Sequence, residues 1–140
     1  MTLVVGYDGH QASKAAVTFA GNLGAALHED LHIVRVHDLG DTHPPGSEQG
    51  DLRAADSYAL ADRERIGSAL DRAGVEWAFC GLHGDPATAL LDAADTLSAS
   101  MIVIGRPERG LGATLGHLVT SAVARTLIRR SPVPVVVVPE

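Results

Sequence analysis

Short, continuous apolar runs alternate with longer amphipathic ones along this chain. Leu3 to Tyr7 (LVVGY), Leu31 to Val36 (LHIVRV), Val75 to Leu82 (VEWAFCGL), Met101 to Ile104 (MIVI) and Pro134 to Val138 (PVVVV) have the length of strands. Their near-continuous hydrophobicity predicts burial on both faces, as in a parallel sheet. Between them the period changes. Ala16, Phe19, Ala20, Leu23 and Leu27 form one apolar helical face after Ser13, a residue able to cap that helix. Asp51 to Ala73 carries a second helical pattern through Tyr58, Ala59, Asp62, Ile66, Ala69, Leu70 and Ala73, and Gly74 stops it. Asp85 fits an N-cap and Pro86 fits the first helical position, where its missing N–H costs nothing. Ala87, Leu90, Leu91, Ala94 and Leu97 then supply a buried face. A fourth helix is predicted over Thr120–Arg130, opening on two cap-forming residues. It closes on Arg129-Arg130 at the negative end of its dipole.

Strands alternating with helices imply parallel pairing, right-handed crossovers and a three-layer α/β/α sandwich. The segment between the second strand and second helix (HDLGDTHPPGSEQGD) lacks periodicity and reads as a surface loop. No linker divides the chain, so residues 1–140 are read as one domain. Pro134 at the start of the last strand predicts an edge position. An edge of four valines is an aggregation hazard unless it is covered, which leads us to expect a homodimer through Val135–Val138.

The densest candidate chemistry runs from Met101 to Ser121. Strand-like MIVI ends at Gly105, and Gly110, Gly112 and Gly116 follow before the Thr120-Ser121 helix start. Strand, glycine-rich loop and capped helix together present bare backbone N–H groups and a positive helix end to an anion. Glycine lets a phosphate approach more closely than a Cβ would. At about 14 residues the loop exceeds the usual βα length, which points to function, and Arg106 and Arg109 can face phosphate oxygens. The Walker pattern is absent. The turn after the first strand (VVGYDGHQAS) has only Gly6 and Gly9 and lacks the dinucleotide fingerprint. Asp8, at the C-terminal end of the first strand, lies where open α/β sheets bind ligands, or else serves as a turn residue feeding the next helix.

Net charge narrows the partners. Seventeen acids against eleven bases leave −6, which argues against nucleic acid and anionic membranes. No basic-plus-apolar segment opens the sequence and no apolar run reaches 18 residues, so a cytoplasmic location is expected. The single cysteine, Cys80, sits in an apolar run and reads as a small buried residue. His37, Asp38 and His43 cluster in sequence without helical metal spacing, so no metal site is expected. No G-x-S-x-G elbow is present, and no catalytic residues are assigned.

Taken together, VVGYDG, LHIVRV, GDPATALLDAA and MIVIG…RGLGATLGHLVTSAVARTLIRRSPVPVVVV resemble the universal stress protein family along nearly the whole length. The resemblance implies an open five-stranded parallel sheet of order 3-2-1-4-5, of the adenine nucleotide alpha-hydrolase-like type. Asp8 and Gly105 would then flank one crevice between strands 1 and 4. Many members bind ATP through G-x2-G-x9-G-S/T after strand 4, whereas another branch lacks the pattern and the ligand. Gly105 matches the first glycine and Gly110 the second. Thr120 stands in the third glycine's place, and Ser121 matches the final hydroxyl residue. Four residues (RPER) replace two between the first glycines. Asp8 matches the aspartate at the nucleoside end of the ligand, and Val36 the position whose backbone reads the adenine edge. Gly112 and Arg109 complete the expected ligand-facing set.

The expectation is therefore a stress-response protein that binds ATP, with Mg²⁺ bridging the phosphates, as a regulatory ligand rather than an enzyme. Two alternatives stay open, a nucleotide-free interaction module and a weak ATPase or nucleotidyl transferase. The related adenylyl-transferring enzymes carry His-x-Gly-His near strand 1, where GYDGHQAS has one histidine.

Overall fold

The computed structural model describes residues 1–37, 60–106 and 116–139. In chain order these contain β1 (Thr2–Tyr7), α1 (Gln11–Leu27), β2 (Asp30–His37), α2 (60–70), β3 (Trp77–His83), α3 (Pro86–Thr96), β4 (Met101–Gly105), α4 (Gly116–Arg130) and β5 (Val135–Val138). The strands form one parallel sheet of order β3-β2-β1-β4-β5. The layered architecture is the one the alternation predicts, and the strand order is the one the family resemblance implies. The part of the second helical pattern before residue 60 and the His37–Asp51 loop beyond residue 37 lie outside the described residues.

Alternation along the strands divides the core in two. On one face Leu3, Val5, Tyr7, Leu31, Ile33 and Val103 pack against α1 and against Ile66 and Leu70 of α2. On the other, Val4, Val34, Ile102 and Ile104 pack against Ala87, Leu90 and Ala94 of α3 and Leu127 of α4. Each central strand thus needs apolar residues at every position, which is why periodicity alone reads them as fully buried. Asp85 caps α3 as expected, its carboxylate accepting from the Thr88 N–H and hydroxyl, both at 2.9 Å.

Three local expectations are corrected. Ser13 is not the N-cap of α1. His10 holds that position without a side-chain bond, while the Ser13 hydroxyl turns inward and donates to the His10 carbonyl (2.8 Å). The buried face of α1 is also rotated. Phe19 and Leu27 are exposed, whereas Val17, Gly21 and Gly24 are buried beside Ala16 and Ala20. Small residues win that face because Leu31 and Leu70 fill the space above Gly24 and Gly21. Finally, α4 begins at Gly116, a turn before Thr120. The cap preference of Thr and Ser is a weak prior, and nothing in residues 117–119 breaks a helix.

Candidate functional site

The strand order reverses between β1 and β4, with α1 leaving over one face of the sheet and α4 over the other. A crevice at the carboxyl ends of the strands follows from that divergence. Asp8 stands at its rim, just past β1. The chain turns there through Gly9 at φ +86°, a backbone region that L side chains rarely adopt. Asp8 Oδ1 accepts the His10 N–H at 2.8 Å, and the Asp8 N–H donates to Ser13 Oγ at 3.3 Å. The turn is thereby tied to the first turn of α1. About half of the Asp8 side chain is exposed, and Oδ2 accepts no hydrogen bond among the described residues.

Gly105 closes β4 on the opposite side. A Cβ on it would lie 2.4 Å from the backbone carbon and oxygen of Ala12, so the end of β4 touches the start of α1 directly. Gly105 and the Asp8 turn thus both meet the first turn of α1, Gly105 at the Ala12–Ser13 backbone and Asp8 at the Ser13 hydroxyl. It also shows that Gly105 is required for packing, before any ligand is considered. Val36 is set one strand away. The β1–β2 ladder ends at Tyr7–Arg35, while β2 stays paired with β3 through His37–His83. Beyond Arg35 the β1 side of the β2 backbone faces the crevice end without a β1 residue opposite. Arg109, Gly110 and Gly112 lie outside the described residues. Thr120 and Ser121 fall inside the second turn of α4 rather than at its start, and their side chains are not among those described.

Sequence reasoning overlooked one polar assembly below this rim. Arg35 of β2 forms an ion pair with Asp62 of α2, and both side chains are largely buried (21% and 6% exposed). The Tyr7 hydroxyl donates to the other Asp62 oxygen at 3.4 Å. Burial pushes the Tyr7 pKa up, against the opposing pull of Arg35 and Arg65. The guanidinium packs beneath the Asp8 turn, 3.6 Å from an ideal Cβ on Gly9, an ordinary van der Waals contact. An arginine inside an apolar strand and an aspartate inside an apolar helical stripe were the available signal. Opposite charges in two buried runs demand each other.

An acceptor at the end of β1 suits the hydroxyl or amino donors of a nucleoside and repels phosphate. Phosphate would have to be held by backbone donors after β4. Among the described residues no group of three or more His, Cys, Asp or Glu side chains is placed to hold a metal ion. No helix among them is long and apolar enough to cross a membrane. Cys80 is half-buried, its sulfur 3.3 Å from His32 Nε2, and burial raises its pKa, which does not favour a nucleophile.

Comparison with known proteins agrees with this geometry. The model of the universal stress protein family matches residues 1–139. The chain is 25% identical to the stress response protein NhaX of Bacillus subtilis (strain 168), over 97% of this chain and 96% of that protein. It is 27% identical to a solved member of the universal stress protein family from Burkholderia pseudomallei, covering 99% of this chain and 96% of that one with a TM-score of 0.76. A universal stress protein solved in complex with cAMP is 28% identical, with coverage of 99% and 96% and a TM-score of 0.74.

Proposed function

Because this chain belongs to the universal stress protein family, we propose that it binds an adenine nucleotide, ATP in the first instance, as a regulatory ligand. The observation that carries the reading is the close approach of Gly105 to the Ala12–Ser13 start of α1, to which the Asp8 N–H is bonded through Ser13 Oγ, at the β1/β4 switch point. The complex of a 28% identical neighbour with cAMP supports it.

In this reading Asp8 accepts from the nucleoside, and the Val36 backbone reads the base edge where β2 outruns β1. Arg109, the glycine-rich backbone and Ser121 would take the phosphates, and Mg²⁺ would offset their remaining charge. Each charge-assisted hydrogen bond contributes about 1.5–3 kcal/mol. Ordering a long loop offsets part of that, so micromolar affinity is expected rather than that of a tight cofactor. The role is binding rather than turnover, in the cytoplasm, by a homodimer paired along the Val135–Val138 edge.

Native mass spectrometry of freshly purified protein tests this. We expect bound adenine nucleotide in the wild type, with the complex lost in Asp8→Ala and weakened in Ser121→Ala. An empty protein that ignores millimolar added ATP would favour the second reading, a nucleotide-free interaction module. That alternative draws on Thr120, whose Cβ stands where the family's ATP-binding pattern has glycine. Hydrolysis of the added ATP above background would instead identify an enzyme.

A further inference from the structure

A second cavity lies away from the switch point, between α1 and α2. The two helices meet tightly at one end, where an ideal Cβ on Gly21 would come within 2.6 Å of a Leu70 methyl. Toward Lys14 and Arg65 they part, leaving a wedge of about 220 Å³. Its lining includes Tyr7, Val17, Ile66 and Ala69, with Lys14 on one helix and Arg65 on the other. Tyr7, Val17 and Ile66 are buried and apolar, and the Tyr7 hydroxyl is already bonded to Asp62. The floor therefore offers an apolar surface.

The walls have a different character. Lys14 and Arg65 are exposed and neither has a carboxylate within ion-pair distance among the described residues. Two cations facing one recess, neither paired among the described residues, in a chain of net charge −6, select a small anion. An apolar cavity of about 150 Å³ holds benzene. The wedge has room for such a body with a charged head.

We propose that the α1–α2 wedge is a binding site for a small organic carboxylate bearing one aromatic ring or a short alkyl chain. The carboxylate sits between Lys14 and Arg65, and the apolar body rests on Tyr7, Val17 and Ile66. The site is separate from the Asp8–Gly105 crevice and does not depend on the nucleotide reading.

Benzoate is the probe, followed by NMR through the methyl and amide signals of Thr18 and Ala69. Benzoate should shift both residues saturably. Benzyl alcohol, of similar shape but uncharged, should bind roughly tenfold more weakly or worse, the loss of one charge-assisted contact. The Lys14→Gln/Arg65→Gln double variant should lose the preference for benzoate over the alcohol. Ala69→Leu, which fills the wedge from an exposed position, should abolish binding while retaining a native spectrum elsewhere. Asp8→Ala should leave benzoate binding unchanged, which separates this site from the nucleotide crevice. Absence of shifts at Thr18 and Ala69 at tens of millimolar benzoate overturns the proposal. So does equal binding of benzoate and alcohol, undiminished binding in either wedge variant, or an equivalent response to inorganic phosphate alone.

Discussion

At Gly105 one hydrogen atom decides whether two elements can meet. Replacing it with alanine places a methyl inside the Ala12 backbone, which no rotamer change relieves. Gly105→Ala is therefore expected to cost about 1–3 kcal/mol, as overpacking does, before ligand is added. Denaturant unfolding without nucleotide is the measurement, and an unchanged midpoint would refute the packing role. The Arg35–Asp62 pair makes a second argument at this scale. Asp62→Ala strands a guanidinium that is only 21% exposed. The expected loss is about 3 kcal/mol, at the lower end for buried pairs because Arg35 keeps some solvent. Adding Arg35→Met should recover much of it, since removing both charges also removes their desolvation cost. A double-mutant cycle in urea reads the coupling directly.

Among the elements, α3 has the most explicit local chemistry. Hydrogen bonds from the Thr88 N–H and hydroxyl hold the Asp85 pKa below the ordinary 3.8. Because the folded value is depressed, the cap's ionic contribution is present above about pH 4 and is lost as pH falls through the folded value. Asp85→Ala should cost about 1 kcal/mol at neutral pH. That difference from wild type should shrink in acid, as followed by thermal unfolding at several pH values. The edge strand β5 poses the opposite problem. Val136 and Val135 pack into the two cores, whereas Val137 is 37% exposed. Charge at Val137 therefore disturbs the edge with the least damage inside.

For the whole molecule, that position separates assembly from folding. If the Val135–Val138 edge pairs with a second copy, Val137→Lys should halve the mass seen by light scattering at unchanged secondary structure. A wild type already monomeric at the same concentration would remove the homodimer. Ligand binding belongs to the same scale, because the crevice is assembled from β1, β2 and β4, with α1 buttressing one side. Adenine nucleotide should raise the unfolding midpoint with the logarithm of its excess over the dissociation constant. Asp8→Ala should lose that rise while keeping the ligand-free midpoint close to wild type, since Asp8 is half-exposed.

Local pattern alone determined the five strands, their parallel pairing and the Asp85-Pro86 start of α3, while the strand order came from the family resemblance. These depend on period, caps and crossover rules that act within short stretches. The candidate site was legible where a strand ends: Asp8 and Gly105 were identified from position and family resemblance, and the structure sets each at the carboxyl end of its strand, with Gly105 against the start of α1. Tertiary packing settled the rest. It chose Val17, Gly21 and Gly24 over Phe19 and Leu27 for the buried face of α1, because Leu31 and Leu70 occupy that side. It joined Arg35 to Asp62, 27 residues away, and Tyr7 to Asp62, 55 away. It also parted α1 from α2 beside Lys14 and Arg65. A period shows that a helix has an inner face, but which residues fill it depends on neighbours from distant segments, and those meet only once the sheet is closed.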